Sequence, residues 1–502
     1  MLETWTLLLN GLVAASSPSI LLAVFIGAVI GLFIGALPGL GPTAGVAILL
    51  PVAVSFEGTA AIAALGAVYY GAQYGGAVSA ILLGIPGDSS AAMTVLDGYP
   101  LTKQGKAGKA LGLSISSSFI GGLLGMVLVT IFATTIAQAA LAFGPVEMTA
   151  VMVFALSLVS TLGGKDQIKA MVSLGLGLWI GTIGLDPIVG IPRFNFGEIR
   201  LFDGIAFSIL AVGVFGLAEM YSTRIIPASE QRPARLRIKD LIPDLGTTFR
   251  CWRDLLVGTL SGFILGILPG TGATAATMMS YAVSKRISKT PERFGHGAYE
   301  GLVSPEAAGN SASYGSMIPM FALGVPGSGT TAVLLGGLLM IGLQPGPMLF
   351  QTQPQFVWTI FGSFYIGNIA LVAITILLIP LLASFAFVKQ GYLFPAVIAV
   401  VVFGIYSISY SMFDVMLAVL FGIFGYILSK LKYPAVPLIL GMILGPILER
   451  GIRRTLVSSD GDTMVFLQSP IAVTIFLASA ILLTWPLMKK LLVRRSHKTT
   501  TA

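Results

Sequence analysis

Long apolar runs broken at a few fixed points set the pattern of this chain. Ser19 to Leu37 and Ile471 to Leu487 contain no charged side chain, and each is long enough as a helix to cross about 30 Å of hydrocarbon. Four runs are interrupted by Pro-Gly, at Pro38-Gly39, Pro86-Gly87, Pro269-Gly270 and Pro326-Gly327. Proline removes a backbone donor and glycine tolerates left-handed dihedrals, so each pair halts a helix at membrane depth. The pattern predicts an all-α polytopic membrane protein with about 11–12 crossings.

Two matched blocks occur twice in the same order. Gly27 to Ala44 (GAVIGLFIGALPGLGPTA) and Gly258 to Ala275 (GTLSGFILGILPGTGATA) agree at nine of eighteen positions, too many for two unrelated glycine-rich segments. Tyr74 to Ala92 and Tyr314 to Ala332 form the second pair. The loop after the first block is free of basic residues in copy one but carries Lys285, Arg286, Lys289 and Arg293 in copy two. After the second block the bias reverses: Lys103, Lys106 and Lys109 in copy one, no charge from Gly342 to Trp358 in copy two. Basic loops face the cytoplasm, so the copies are expected to be inverted repeats.

That orientation predicts two re-entrant hairpins. Asp254–Leu268 and Thr271–Val283 lie between two cytoplasmic basic segments, and each arm is about 20 Å long as a helix. Ser19 to Phe56 is the opposed counterpart. Each hairpin is followed by an interrupted crossing and about four further helices. The organisation reads as an N-terminal segment (1–18), a first membrane repeat (19–222), a basic cytoplasmic linker (223–253) and a second membrane repeat (254–449). An external loop, a last crossing and a basic tail follow (450–502). Lys165, Lys169, Lys389, Lys430 and Lys432 fall inside; Arg450, Arg453 and Arg454 fall outside, against the charge rule.

Composition excludes other classes. Hydrophobic residues make up 55% of the chain and charged ones 10%, against roughly 25% charged in soluble domains. The net charge of +8 resides in short loops and points to no nucleic acid. With one cysteine, Cys251, and two histidines beside basic residues, there is no metal centre, disulfide framework or nucleophile pair at membrane depth. No basic residue precedes the first apolar run, so no cleavable signal peptide is expected. PGLGPT and PGTGAT lack the phosphate-loop lysine, which argues against an ATPase.

The breaks are the candidate site. Small and hydroxylated residues follow them: Gly39, Gly41 and Thr43; Gly87, Ser89 and Ser90; Gly270, Gly272 and Thr274; Gly327, Ser328, Thr330 and Thr331. At half-helix N-termini, free amides and the positive dipole end attract a carboxylate without any arginine. Glu306, Asp88 and Asn310 are the candidates for a coupling ion, since an ionisable group in an apolar run is costly. Either carboxylate could carry a proton or bind sodium, or cap a helix. Gln73, Tyr74 and Tyr314 line the same cavity or serve as packing. Gly27, Gly31, Gly35, Gly258, Gly262 and Gly266 read as helix-packing stripes.

GALPGLGPTAG, the run YYGAQYGGAVSAILLGIPGDSSAAMTVLDGYPLTKQGKAGKALG, GLVSPEAAGNSASYGSMIPMFALGVPGSGTTAVLLGGLLMIGLQPGP and PLILGMILGPILE together resemble the large membrane subunit of the tripartite tricarboxylate transporters. The resemblance spans about Gly27 to Glu449. It implies secondary transport of di- or tricarboxylates, citrate-like anions, across the bacterial cytoplasmic membrane. It also implies a small four-helix membrane subunit, a periplasmic solute-binding protein, and coupling to a Na+ or H+ gradient with no cofactor. Where the family pattern has two adjacent asparagines, this chain has Gly309-Asn310. A passive anion channel or a stand-alone carboxylate carrier is the alternative.

Overall fold

The computed structural model describes residues 2–37, 39–141, 143–161, 166–186, 189–222, 244–268, 272–385 and 390–499. Residues 223–243 of the linker (with Arg224, Arg232, Arg235, Arg237 and Lys239), Lys165, Lys389 and the Gly270 turn lie outside them. Among the described residues regular structure is helical, apart from the two-residue strands Gly184–Leu185 and Pro192–Arg193. Five helices among the described residues are long and apolar enough to cross a membrane: Pro18–Ala36, Ala107–Ala139, Pro354–Ser384, Met412–Lys430 and Ala435–Ser458. Shorter apolar helices, such as Pro42–Ala53 and Gly329–Met340, lie between them. The chain is an all-α, multi-pass membrane protein.

Contacts divide it into two compact units, Met1–Gln138 with Ser208–Tyr426, and Ala139–Phe207 with Ile427–Ala502. In the first unit, the helices Gly58–Leu83 and Tyr299–Gly315 are buried along almost their whole length. Both are rich in glycine, alanine and hydroxyl residues, and neither is among the five strongly apolar helices. They face protein rather than lipid, so their polar groups lie among side chains and backbone instead of hydrocarbon.

Glycine stripes pack against these two buried helices. Gly27, Gly31 and Gly35 of Pro18–Ala36 lie against Ala64, Val68 and Ala72; a Cβ on Gly31 would stand 2.5 Å from the Val68 carbonyl oxygen. Gly258, Gly262 and Gly266 of Trp252–Ile267 lie against Ser304, Ala308 and Ala312; a Cβ on Gly266 would stand 2.6 Å from the Ala312 oxygen. Steps of four residues on both partners keep every glycine on one face, so the backbones approach closely, as the spacing predicts.

At the first-block breaks the helices are capped at Leu37 and Leu268, directly before the proline, whereas at the second-block breaks the interruption begins two residues before Pro-Gly. Helix Gly58–Leu83 ends on Gly84 at φ 69°, ψ 19°, and Met317–Leu323 ends on Gly324 at φ 69°, ψ 20°. A left-handed glycine closes the last turn, and the proline two positions on prevents continuation. The helices resume at Ala92 and Gly329.

In the second unit, Gln167–Ile180 packs on Ala435–Ser458, with Gly177 against Leu438 and Gly441 against Leu174. Arg453 grips Asp186 with two nitrogens, at 3.1 and 3.0 Å, and Glu449 at 2.7 Å. Arg193 meets Asp186 at 2.5 Å and Glu449 at 3.0 Å. Two arginines and two carboxylates balance one another; Arg450, Arg453 and Arg454, expected in an external loop, stand in the helix Ala435–Ser458.

Candidate functional site

All four interrupted segments meet in the first unit. Gly41 lies against Asp88, a Cβ there standing 2.9 Å from the Asp88 Cβ, and Gly272 faces Ser328 in the same way at 3.6 Å. The Thr43 and Thr330 hydroxyls are 2.8 Å apart, and those of Ser89 and Thr274 are 2.7 Å apart. The segment after each first-block break therefore touches both second-block breaks. Gly87 and Gly327 pack under the same cluster, against the Gly35 and Gly266 carbonyls. Of the sequence candidates in these segments, Gly270 falls outside the described residues, and Gly39, at φ 87°, is exposed.

Not every half-helix N-terminus is open. The Asp88 carboxylate accepts from the Ala91 amide at 3.1 Å, just before Ala92–Lys103, a helix that itself has no side-chain cap. Ser328 and Thr331 form a capping box on Gly329–Met340: the Thr331 amide donates to the Ser328 hydroxyl, and the Ser328 amide to that of Thr331. Helix Pro42–Ala53 begins with Gly41 and has no side-chain cap. Its first-turn amides therefore keep their donors free, and Pro42 has none to satisfy.

A polar relay runs inward from Asp88. The Ser90 hydroxyl lies 2.7 Å from the Asp88 carboxylate and 2.8 Å from Gln73 Oε1, and Gln73 Nε2 donates to Ser313 at 3.0 Å. Tyr74 reaches Asn368, whereas Tyr314 stacks with Tyr70 and Phe364 and is packing.

Glu306 is 6% exposed on the buried helix Tyr299–Gly315. Its Oε2 accepts from Ser114 and Ser118, both at 2.8 Å, and its Oε1 accepts from Thr94. No lysine, arginine or histidine hydrogen-bonds to it among the described residues, and Asp88 lies within electrostatic range. Asn310, one turn on, donates Nδ2 to the Glu306 carbonyl, while its buried Oδ1 has no partner.

The sequence matches the Tripartite tricarboxylate transporter TctA family over residues 21–440. The chain belongs to this family. The chain is also similar to an uncharacterized 52.8 kDa protein in the TAR-I ttuC' 3' region of Agrobacterium vitis. The two are 39% identical over 465 residues, 93% of this chain and 92% of that protein. An uncharacterized protein in the TAR-II ttuC' 3' region of the same organism is 41% identical over 214 residues, 43% of this chain and 88% of that protein. No solved structure matches the chain. As a TctA protein it is a membrane component of a transport system, not a member of an enzyme family, and the tripartite name implies further subunits.

In this TctA chain, sequence reasoning missed two groups of residues. One is the hydroxyl set around Glu306; Ser114 and Ser118 stand one turn apart in the run LSISSSF, a spacing that could have flagged them. The other is Asp97, fully buried, which accepts from the Gly295, Gly297 and Ala298 amides and the Tyr281 hydroxyl. It ties Ala92–Lys103 to the chain entering Tyr299–Gly315. Lying beside a basic loop, Asp97 carries no sequence signal of burial.

Proposed function

We propose that the chain is the large subunit of a secondary importer of di- and tricarboxylates, citrate-like anions, in the bacterial cytoplasmic membrane. It receives substrate from a periplasmic binding protein and works with a small four-helix membrane subunit. The observation that carries this reading is the meeting of all four breaks, with Thr43 bonded to Thr330 and Ser89 to Thr274. Backbone interrupted at membrane depth persists only where protein or a polar cavity covers it.

In this reading the two halves are inverted repeats with opposed re-entrant hairpins, and the anion binds between their tips. The free amides at the start of Pro42–Ala53 and the hydroxyls of Thr43, Thr274 and Thr330 recognise its carboxylates. Gly39, Gly41 and Gly272 let the backbone approach closely. Alternating access separates the two hydroxyl pairs in turn, admitting the anion from one side and releasing it to the other. Moving one charge against 100 mV costs roughly 2.3 kcal/mol, so import of a trianion into a negative interior requires cotransported cations.

The test is uptake of radiolabelled citrate, malate and tartrate into vesicles holding the chain, the small subunit and the binding protein. Accumulation above the external concentration, abolished by an ionophore, is expected. Downhill equilibration alone would make the protein a channel, and full uptake without the other two proteins would make it a stand-alone carrier.

The inverted arrangement makes a separate prediction. Lys106 and Gln344 are exposed and follow equivalent breaks. In a Cys251→Ala background, Lys106→Cys should react with an impermeant maleimide only from the cytoplasm, and Gln344→Cys only from outside. Reaction of both from one side ends the inverted reading.

A further inference from the structure

We propose that Glu306, Thr94, Ser114 and Ser118 form a binding site for one sodium ion, the cation that travels with the anion; this rests on the importer reading and adds its coupling site. The ligands come from three helices. Glu306 stands on Tyr299–Gly315, Thr94 in the first turn of Ala92–Lys103, and Ser114 and Ser118 one turn apart on Ala107–Leu141. All are buried, at 6% exposure or less.

The donor set selects the ion. It offers five side-chain oxygens and no nitrogen or sulfur, a hard set suited to alkali and alkaline-earth cations rather than transition metals. One carboxylate neutralises one positive charge, whereas a divalent ion would leave a buried excess. A proton needs a single acceptor, and three converging hydroxyls exceed that need. The serines have an alternative acceptor when they release the carboxylate, because serines in helices also bond back to carbonyls four residues earlier, at a slight cost to the helix. Ser116 and Ser117 of the same helix do so, to Gly112 and Leu113. The unpartnered Oδ1 of Asn310, on the same face of the helix one turn from Glu306, is a further oxygen within the neighbourhood.

The site also touches the anion machinery. Thr94 lies four residues after Ser90, and Ser90 contacts Asp88, the carboxylate that accepts from the Ala91 amide just before the same helix. A cation that fixes Thr94 fixes the start of a helix that Ser89, three residues before it, ties to Thr274. Sodium binding therefore sets the helix start against which the anion binds, and its positive charge offsets Glu306 within range of Asp88.

The experiment is thermal unfolding of the purified full chain in detergent, titrated with sodium chloride against choline chloride at constant ionic strength and at two pH values. Wild type should gain stability saturably with sodium at both. Glu306→Gln should lose that gain, and Thr94→Ala and Ser114→Ala should raise half-saturating sodium at least about tenfold, the scale seen on losing one supporting group at a metal site. If Glu306→Gln does not fold, Ser114→Ala with Ser118→Ala carries the same expectation. Equal stabilisation by choline, stabilisation by acid without sodium, or unchanged half-saturation in the hydroxyl variants overturns the site. Vesicle uptake separates this from the importer reading. Uphill carboxylate uptake indifferent to sodium removes the site alone, and saturable sodium binding without any carboxylate uptake removes the importer reading alone.

Discussion

A chain carrying Ser89→Cys and Thr274→Cys in a Cys251→Ala background should stop transporting on oxidation and resume on reduction. The native hydroxyl oxygens are 2.7 Å apart. Side chains in such contact hold their Cβ atoms near the roughly 3.5–4.5 Å that a disulfide requires. Ser89 is exposed, so an oxidant reaches it. If the anion passes between the segments that these residues join, a covalent link there blocks one half of the cycle. Uptake should fall at least about tenfold, a barrier increase of roughly 1.4 kcal/mol or more. Thr43→Cys with Thr330→Cys should behave alike, since that pair joins the other two segments. Undiminished uptake by fully crosslinked protein would show that these contacts stay closed throughout transport.

Asp97→Ala should be the most damaging single substitution for stability. The carboxylate is 0% exposed and accepts from three amides at 2.7 to 2.9 Å and from the Tyr281 hydroxyl at 2.9 Å. Truncation leaves two buried donors, the Ala298 amide and the Tyr281 hydroxyl, and two partly buried amides, of Gly295 and Gly297, without a partner, a buried one costing about 1–3 kcal/mol if it finds none. Relaxation recovers part of this, and a loss of about 3–5 kcal/mol is expected, as when one partner of a buried charged group is removed. Asp97→Asn keeps one acceptor oxygen and should lose less. Thermal unfolding in detergent and the yield of monodisperse protein read the effect; an Asp97→Ala chain that melts with wild type would show the clamp to be dispensable.

What the sequence makes legible is what is local. The Gly-x3-Gly stripes announce close helix packing because a period of four residues is itself the geometry of one helix face. Pro-Gly marks the interruptions because proline blocks helical continuation wherever it stands. The helices actually stop on Gly84 and Gly324, two residues earlier, a choice that needs the backbone dihedrals. Glu306 is visible as a charge inside an apolar stretch. Its partners Thr94, Ser114 and Ser118 are not, lying 188 to 212 residues away. The sequence predicts open amides at every half-helix start, but Ser328 and Thr331 close one of them with a capping box. Whether a polar side chain turns back onto its own helix or outward to a ligand depends on rotamers, which spacing does not determine.

The long-range hydroxyl and amide bonds of the first unit also bear on how the chain is made. Gln73 waits for Ser313, 240 residues later, Ser89 for Thr274, 185 later, and Thr43 for Thr330, 287 later. At about 5–20 residues per second, the ribosome needs roughly 14 to 57 s to supply the last of these partners. During that interval the first half stands in the bilayer with Gln73, Ser89 and Thr43 lacking these partners. The nascent chain must therefore be sheltered at the insertion machinery until its second half arrives, and the polar network closes as one of the last events of biogenesis.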